Sequence, residues 1–248
     1  MKVIKFILFS FLFLTSLNTF SHNPEDFMIA EIERGQMYFE NEQIAAEYGV
    51  ALKRQRMRRL AAMPFYKKFY IFVKAGFEHI IPQGLDHILF VLGLFFSCRA
   101  FRSLLLQVTA FTVAHSITLV IAAQGLVQMR GDIVEAIIAL SIVWIAIENC
   151  IYKEVSKFRY FVVFAFGLLH GLGFATLLSQ YGLPKDNFIS LLLAFNIGVE
   201  LGQLAVLILA FLLVRYILRK NWYSNEIKIP ASLMIAAVGL FWFIERVF

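Results

Sequence analysis

Between residues 69 and 247 the chain runs through six long apolar stretches, 69–97, 103–125, 132–152, 160–182, 187–214 and 229–247, separated by short charged loops. Each is long enough to cross a hydrocarbon layer about 30 Å thick as a helix, which takes roughly 17–25 residues. Backbone groups at that depth have no water to bond, so such runs fold as helices with their N–H and C=O groups paired internally. Composition agrees: 60% of residues are hydrophobic, 16% are charged and 27 are phenylalanine, and mean hydropathy is +0.74, outside the range of a soluble domain. The expected fold is all-α, a polytopic transmembrane bundle of about six spans preceded by a signal peptide.

Three segments follow. Residues 1–21 carry Lys2 and Lys5, an apolar run from Phe6 to Leu17, and the small or polar group Asn18-Thr19-Phe20-Ser21, the layout of a secretory signal peptide. Cleavage after Ser21 would leave His22 at the mature N-terminus. Residues 22–68 are acidic first (Glu25, Asp26, Glu31, Glu33, Glu40, Glu42, Glu47) and then basic (Lys53, Arg54, Arg56, Arg58, Arg59, Lys67, Lys68). That stretch is short for a core of its own and reads as a periplasmic segment whose basic part lies against lipid headgroups. Residues 69–248 form the six-span transmembrane domain.

Short loops rich in Lys and Arg stay in the cytoplasm. Arg99 and Arg102, then Lys153, Lys157 and Arg159, then Arg215, Arg219, Lys220 and Lys228 mark alternate loops. The others hold only Arg130 with Asp132 and Lys185 with Asp186, so both mature termini are expected outside. The run Lys53 to Lys68 opposes that assignment, whereas the signal peptide supports it independently. Net charge +6 therefore reflects topology, and a nucleic-acid partner is not indicated. Cys98 and Cys150 show no metal or redox spacing and read as free, reduced structural thiols.

The first span is interrupted. Pro82 and Gly84 predict a helix over 69–81, a break, and a helix over 83–97, and around that break lie Glu78, His79, Asp86 and His87. Ionisable groups at membrane depth cost roughly 2.5–3.5 kcal/mol each on insertion scales and mark a pathway or a site. His115 and His170 lie within the second and fourth spans, each in the pattern F-x-x-x-H-small (Phe111 to Ser116, Phe166 to Gly171), a parallel repeat or chance. In the fifth span Asn196, Glu200 and Gln203 share one helix face, beside Gly198 and Gly202, whose small-xxx-small spacing lets a neighbour approach closely. Glu135, Glu148 and Asn149 line the third span, the two carboxylates marking either entry and exit or the two interfaces. His79, Asp86 and His87 read as a capture site at the outer mouth, and His115, His170 and Glu200 as an inner ligand set. All lie at compatible depths in the middle or outer half of the bilayer, so the first group reads as the outer half of a shared interior site. Imidazole with carboxylate suits nickel, cobalt and zinc alike. No G-x-S-x-G, phosphate loop or C-x-x-C is present. Ser116 beside His115 is no dyad, since adjacent helical side chains diverge by about 100°.

These residues resemble a known family. The run GFEHIIPQGLDHILFVLGLFF, followed in order by FTVAHSITL, FGLLHGLGFA and FNIGVELGQ, is similar to the HupE/UreJ membrane proteins, particularly their second branch, over residues 70–247. The resemblance implies a nickel or cobalt permease tied to metallocentre maturation, with His79, Gly84, Asp86 and His87 carrying the hallmark of a histidine followed by Gly-x-Asp-His. The usual form sets proline directly after the first histidine. Here Ile80 and Ile81 intervene and the histidines are one residue further apart, so His79 joins the site only if the Pro82 break resets the turn of about 100° that a residue adds.

The expected function is import of a divalent transition metal, nickel or cobalt, through intramembrane His, Asp and Glu ligands, with the lipid bilayer, the metal ion and metallocentre maturation proteins as partners. The alternatives are an intramembrane zinc-dependent hydrolase and a metal-handling accessory protein.

Overall fold

In a computed structural model, described at residues 50, 54, 58–97, 100–127, 129–152, 158–181, 187–214 and 223–248, every regular element is a helix. The signal peptide, most of the 22–68 segment and Cys98 lie outside the described residues. Seven helices follow in order: α1 Phe65–Ile80, α2 Leu85–Ser97, α3 Phe101–Ala123, α4 Gly131–Ile151, α5 Arg159–Tyr181, α6 Phe188–Val214 and α7 Ile229–Val247, the last entered through a short π-helical turn, Ser224–Lys228. Four of them (α3, α4, α6 and the π turn with α7) are long and apolar enough to cross a membrane, and the α1–α2 pair makes a fifth if it is one bent span. The sixth expected span is α5, apolar over Arg159–Gly173, where its side chains are described.

The first span breaks where Pro82 predicts, and α1 and α2 meet at 69° across Ile81 to Gly84, with a cis Ile81–Pro82 bond. Every backbone group freed by such a break needs a partner in lipid. Ile81 N–H donates to the Phe77 carbonyl at 2.9 Å, Gln83 N–H to Glu78 at 3.2 Å, and Gly84 N–H to Ile80 at 3.1 Å. The chain folds back so tightly that a methyl group on Gly84 would strike the His79 carbonyl. A glycine is therefore fixed beside the first histidine.

Helix directions follow from which glycines meet which backbones. Gly198 of α6 sits on the Val73 carbonyl and Phe77 amide of α1, Gly76 on the Phe195 carbonyl, and Gly202 on Ile80. The numbers rise together, so α1 and α6 run parallel. Gly167 rests on Phe111 and Gly171 on His115, so α5 runs parallel to α3, with the two F-x-x-x-H motifs side by side. Gly239 of α7 packs on Ala139, Ile142 and Val143 of α4, while Arg246 reaches Glu135 and Ser232 reaches Asn149, so those two run antiparallel. Phe101 at the start of α3 lies 6.1 Å from Phe211 near the end of α6, so α1 and α6 begin on the face opposite the one where α3 and α5 begin.

The core is built largely of phenylalanine and aliphatic side chains from α2, α3, α4 and α6, including Phe90, Val91, Leu94, Phe95, Phe111, Ile142 and Phe195. The outward surface is apolar as well, with Leu106, Val113, Trp144, Leu201, Leu209 and Phe241 exposed, as a lipid-facing shell requires.

Candidate functional site

Four helices each deliver one histidine to the same place. His79 ends α1, His87 lies in the first turn of α2, and His115 and His170 lie within α3 and α5. All four are buried, His115 completely. Ring centroids lie 4.8 Å apart for His79–His87, 5.0 Å for His87–His170, 5.9 Å for His87–His115 and 6.3 Å for His79–His115. The histidines expected in an outer and an inner group therefore form one cluster, which Glu200 does not join. The bend at Pro82 resets the extra residue and brings His79 against His87.

The rings meet edge-on or offset and do not point at one centre, and among the described residues no three His, Cys, Asp or Glu side chains are arranged to hold a metal ion. Their nitrogens are nonetheless poised. Nε2 of His87, Nε2 of His170 and both ring nitrogens of His115 are buried with no hydrogen-bond partner among the described residues. Buried polar atoms are almost always paired, so three histidines left this way call for an explanation. Opposite their Nε2, His87 Nδ1 lies 3.0 Å from Asp86 Oδ1 and His170 Nδ1 lies 2.8 Å from the Phe166 carbonyl.

Aromatic walls enclose the cluster, and the sequence reading missed their role. Phe111 lies 4.8 Å from His170 edge-on, 5.8 Å from His87, and 6.2 Å from His115 in a stack. Phe90 lies 5.4 Å from His170 and Phe195 lies 5.7 Å from His79. The available signal was the phenylalanine four residues before each of two histidines, which sits one turn away on the same face. The small residue after His170 serves packing: a side chain on Gly171 would strike the His115 carbonyl and Thr118.

The other candidates go elsewhere. Glu200 accepts a hydrogen bond from Thr109 Oγ1 at 2.7 Å, and Gln203 Oε1 accepts one from Thr112 at 2.9 Å, forming a polar seam between α3 and α6 on the N-terminal side of His115. Neither threonine was singled out in the sequence. Asn196 donates to the Leu192 carbonyl at 2.9 Å and keeps its buried Oδ1 unpaired among the described residues. Ser116 donates to the Thr112 carbonyl at 2.7 Å. Glu78 turns away from the histidines to pair with Lys74 at 3.5 Å on the exposed side of α1.

Both glutamates of α4 have arginine partners. Glu135 lies 3.6 Å from Arg246, which also donates to the Glu135 carbonyl at 2.8 Å. Glu148 lies 3.4 Å from the buried Arg159. Arg159 and Lys228 entered the loop-charge count, yet both are buried. Lys228 Nζ donates to the Tyr152 carbonyl at 2.8 Å, capping the negative end of α4 as a cation does. Cys150 is a free thiol.

The family model described as HupE / UreJ protein matches residues 54–246. No curated protein and no solved structure gives a significant match.

Proposed function

The chain belongs to the HupE/UreJ family, a family associated with nickel and cobalt transport or metal handling, and on that premise we propose that it imports a divalent transition metal, nickel or cobalt, across the bacterial inner membrane. One observation carries the reading: four buried imidazoles from four helices crowd together, with the Nε2 atoms of His87, His115 and His170 unpaired among the described residues. A neutral imidazole nitrogen without a protein partner, inside a membrane bundle, is a ligand for a borderline d-block cation.

The mechanism follows from the arrangement. The ion enters from the face on which α1 and α6 begin, taken as periplasmic, and reaches the histidines at the Pro82 bend. Rings now edge-to-face rotate about their side-chain bonds to bring nitrogens to the ion, and relax when it leaves. Such a set binds an ion without trapping it, which conduction requires. The phenylalanine walls exclude water and strengthen the electrostatic pull of nearby carboxylates. Beyond the cluster, the seam of Thr112, Gln203, Thr109 and Glu200 offers oxygen donors toward the face where α3 begins, so Glu200 receives the ion on its way to the cytoplasm. Maturation proteins of nickel or cobalt enzymes are the recipients there.

Uptake of radioactive nickel by cells expressing wild type, His87→Ala or His115→Ala tests this reading. Both variants are expected to fall to the level of cells lacking the protein, at normal abundance in the membrane. Uptake as fast as wild type in either would overturn the assignment. Metal analysis of the purified chain is expected to find exchangeable binding, and one tightly held zinc would point to a hydrolase instead.

A further inference from the structure

Asp86 stands in the motif as a candidate metal ligand, but its contacts give it a different task. Its Oδ1 accepts the His87 backbone N–H at 2.8 Å and lies 3.0 Å from Nδ1 of the same histidine. One carboxylate oxygen therefore holds both the main chain and the ring of the next residue, in the first turn of α2, where free N–H groups and the helix dipole favour a negative charge. On α5 the Phe166 carbonyl takes the same position 2.8 Å from Nδ1 of His170. A carbonyl has no proton to give, so Nδ1 of His170 carries the hydrogen and donates it, and an ionised carboxylate imposes the same tautomer on His87. Both rings then present an unprotonated Nε2, and these are the buried atoms with no partner among the described residues.

We propose that Asp86 is a positioning residue and not a ligand: with the Phe166 carbonyl it fixes the tautomer of the paired histidines, so that the ion meets a site built of imidazole nitrogen alone. The inference rests on the permease reading for its location and sharpens the cargo. An all-imidazole set accepts nickel, cobalt, copper or zinc and rejects magnesium, calcium and manganese, which prefer oxygen. Outer-shell carboxylates of this kind typically change metal affinity 10–100-fold when removed.

The test uses the purified full chain in nanodiscs, with Co2+ as the probe and selectively 15N-labelled histidine. In the metal-free wild type, 15N resonances are expected to show His87 and His170 protonated at Nδ1. Asp86→Asn keeps an acceptor oxygen and is expected to retain that tautomer and the wild-type X-ray absorption signature of nitrogen donors. Asp86→Ala is expected to release the His87 tautomer and weaken Co2+ binding about 10–100-fold, with the donor atoms unchanged. Loss of an oxygen donor from the Co2+ shell in Asp86→Asn overturns the proposal, as does a His87 tautomer that ignores Asp86→Ala. Should the wild type bind no Co2+, the permease reading fails, and the metal-free resonances still decide whether Asp86 sets the histidine.

Discussion

Helix α2 runs between two buried polar clusters that obey opposite rules. At its start, His87 joins three other histidines, and nitrogens of His87, His115 and His170 have no partner among the described residues. Toward its end, the Gly93 carbonyl accepts a hydrogen bond from Asn149 Nδ2 at 2.7 Å, and the same amide reaches Ser232 Oγ at 3.3 Å. Arg159 donates to Asn149 Oδ1 from both terminal nitrogens at 3.2 Å and pairs with Glu148. This second cluster ties α2, α4, α5 and α7 together. Its amide and guanidinium groups bond to one another, and Glu148 Oε2, with no hydrogen bond among the described residues, is held by its ion pair with Arg159, whereas those histidine nitrogens have neither kind of partner there. The contrast separates polar residues that hold the bundle from those that, on the proposed function, serve a cargo.

The largest effect should come from breaking the frame. Arg159→Met leaves the mostly enclosed Glu148, whose side chain keeps 15% exposure, without its counter-charge, and losing one partner of a buried pair costs about 3–5 kcal/mol. Thermal or denaturant unfolding of the purified chain should show that loss; one under about 1 kcal/mol would mean that the second cluster is no frame. Next comes the glycine seam. Gly198→Val places a branched side chain against the Val73 carbonyl and Phe77 amide, and overpacking of this kind costs about 1–3 kcal/mol. Because α1 carries His79, nickel uptake should fall with it. Smaller still is Arg246→Ala. The Glu135 and Arg246 side chains retain 27% and 16% exposure, so the pair should contribute about 1 kcal/mol or less. A loss as large as that of Arg159→Met would make the α4–α7 clamp a second frame of equal weight.

Much of this was legible in the chain. Apolar runs gave α3 to α7 to within a residue or two, because in lipid the backbone has few choices. Pro82 and Gly84 announced the bend because a missing N–H and a missing side chain act locally. Histidines at membrane depth pointed to a candidate site because their insertion cost needs a return. What sequence withheld was tertiary. Depth along the helices put His87 and His115 in outer and inner parts of one shared interior site, while the 69° bend and the close α3–α5 approach over Gly167 and Gly171 bring them into a single cluster. The same limit applied to Arg159 and Lys228, which look like loop charges until the end of α4 is seen beside them. Thr109 and Thr112 carried no signal at all, since a helical threonine becomes informative only when Glu200 and Gln203 face it.

The smallest change in stability should come from the histidine cluster, with the opposite sign. His115 is wholly buried, stacked on Phe111, with both ring nitrogens unpaired among the described residues. Replacing an unsatisfied buried polar ring by an apolar one of similar shape removes a desolvation penalty, so His115→Phe should leave stability unchanged or raise it by up to about 1 kcal/mol. Nickel uptake should nonetheless vanish, because phenylalanine supplies no ligand. A variant that unfolds as readily as Arg159→Met would place His115 in the frame and erase the distinction between the clusters. A variant that gains stability while losing transport marks the histidines as residues kept at a cost to the fold, which is how a binding site in a membrane bundle differs from the polar contacts that brace it.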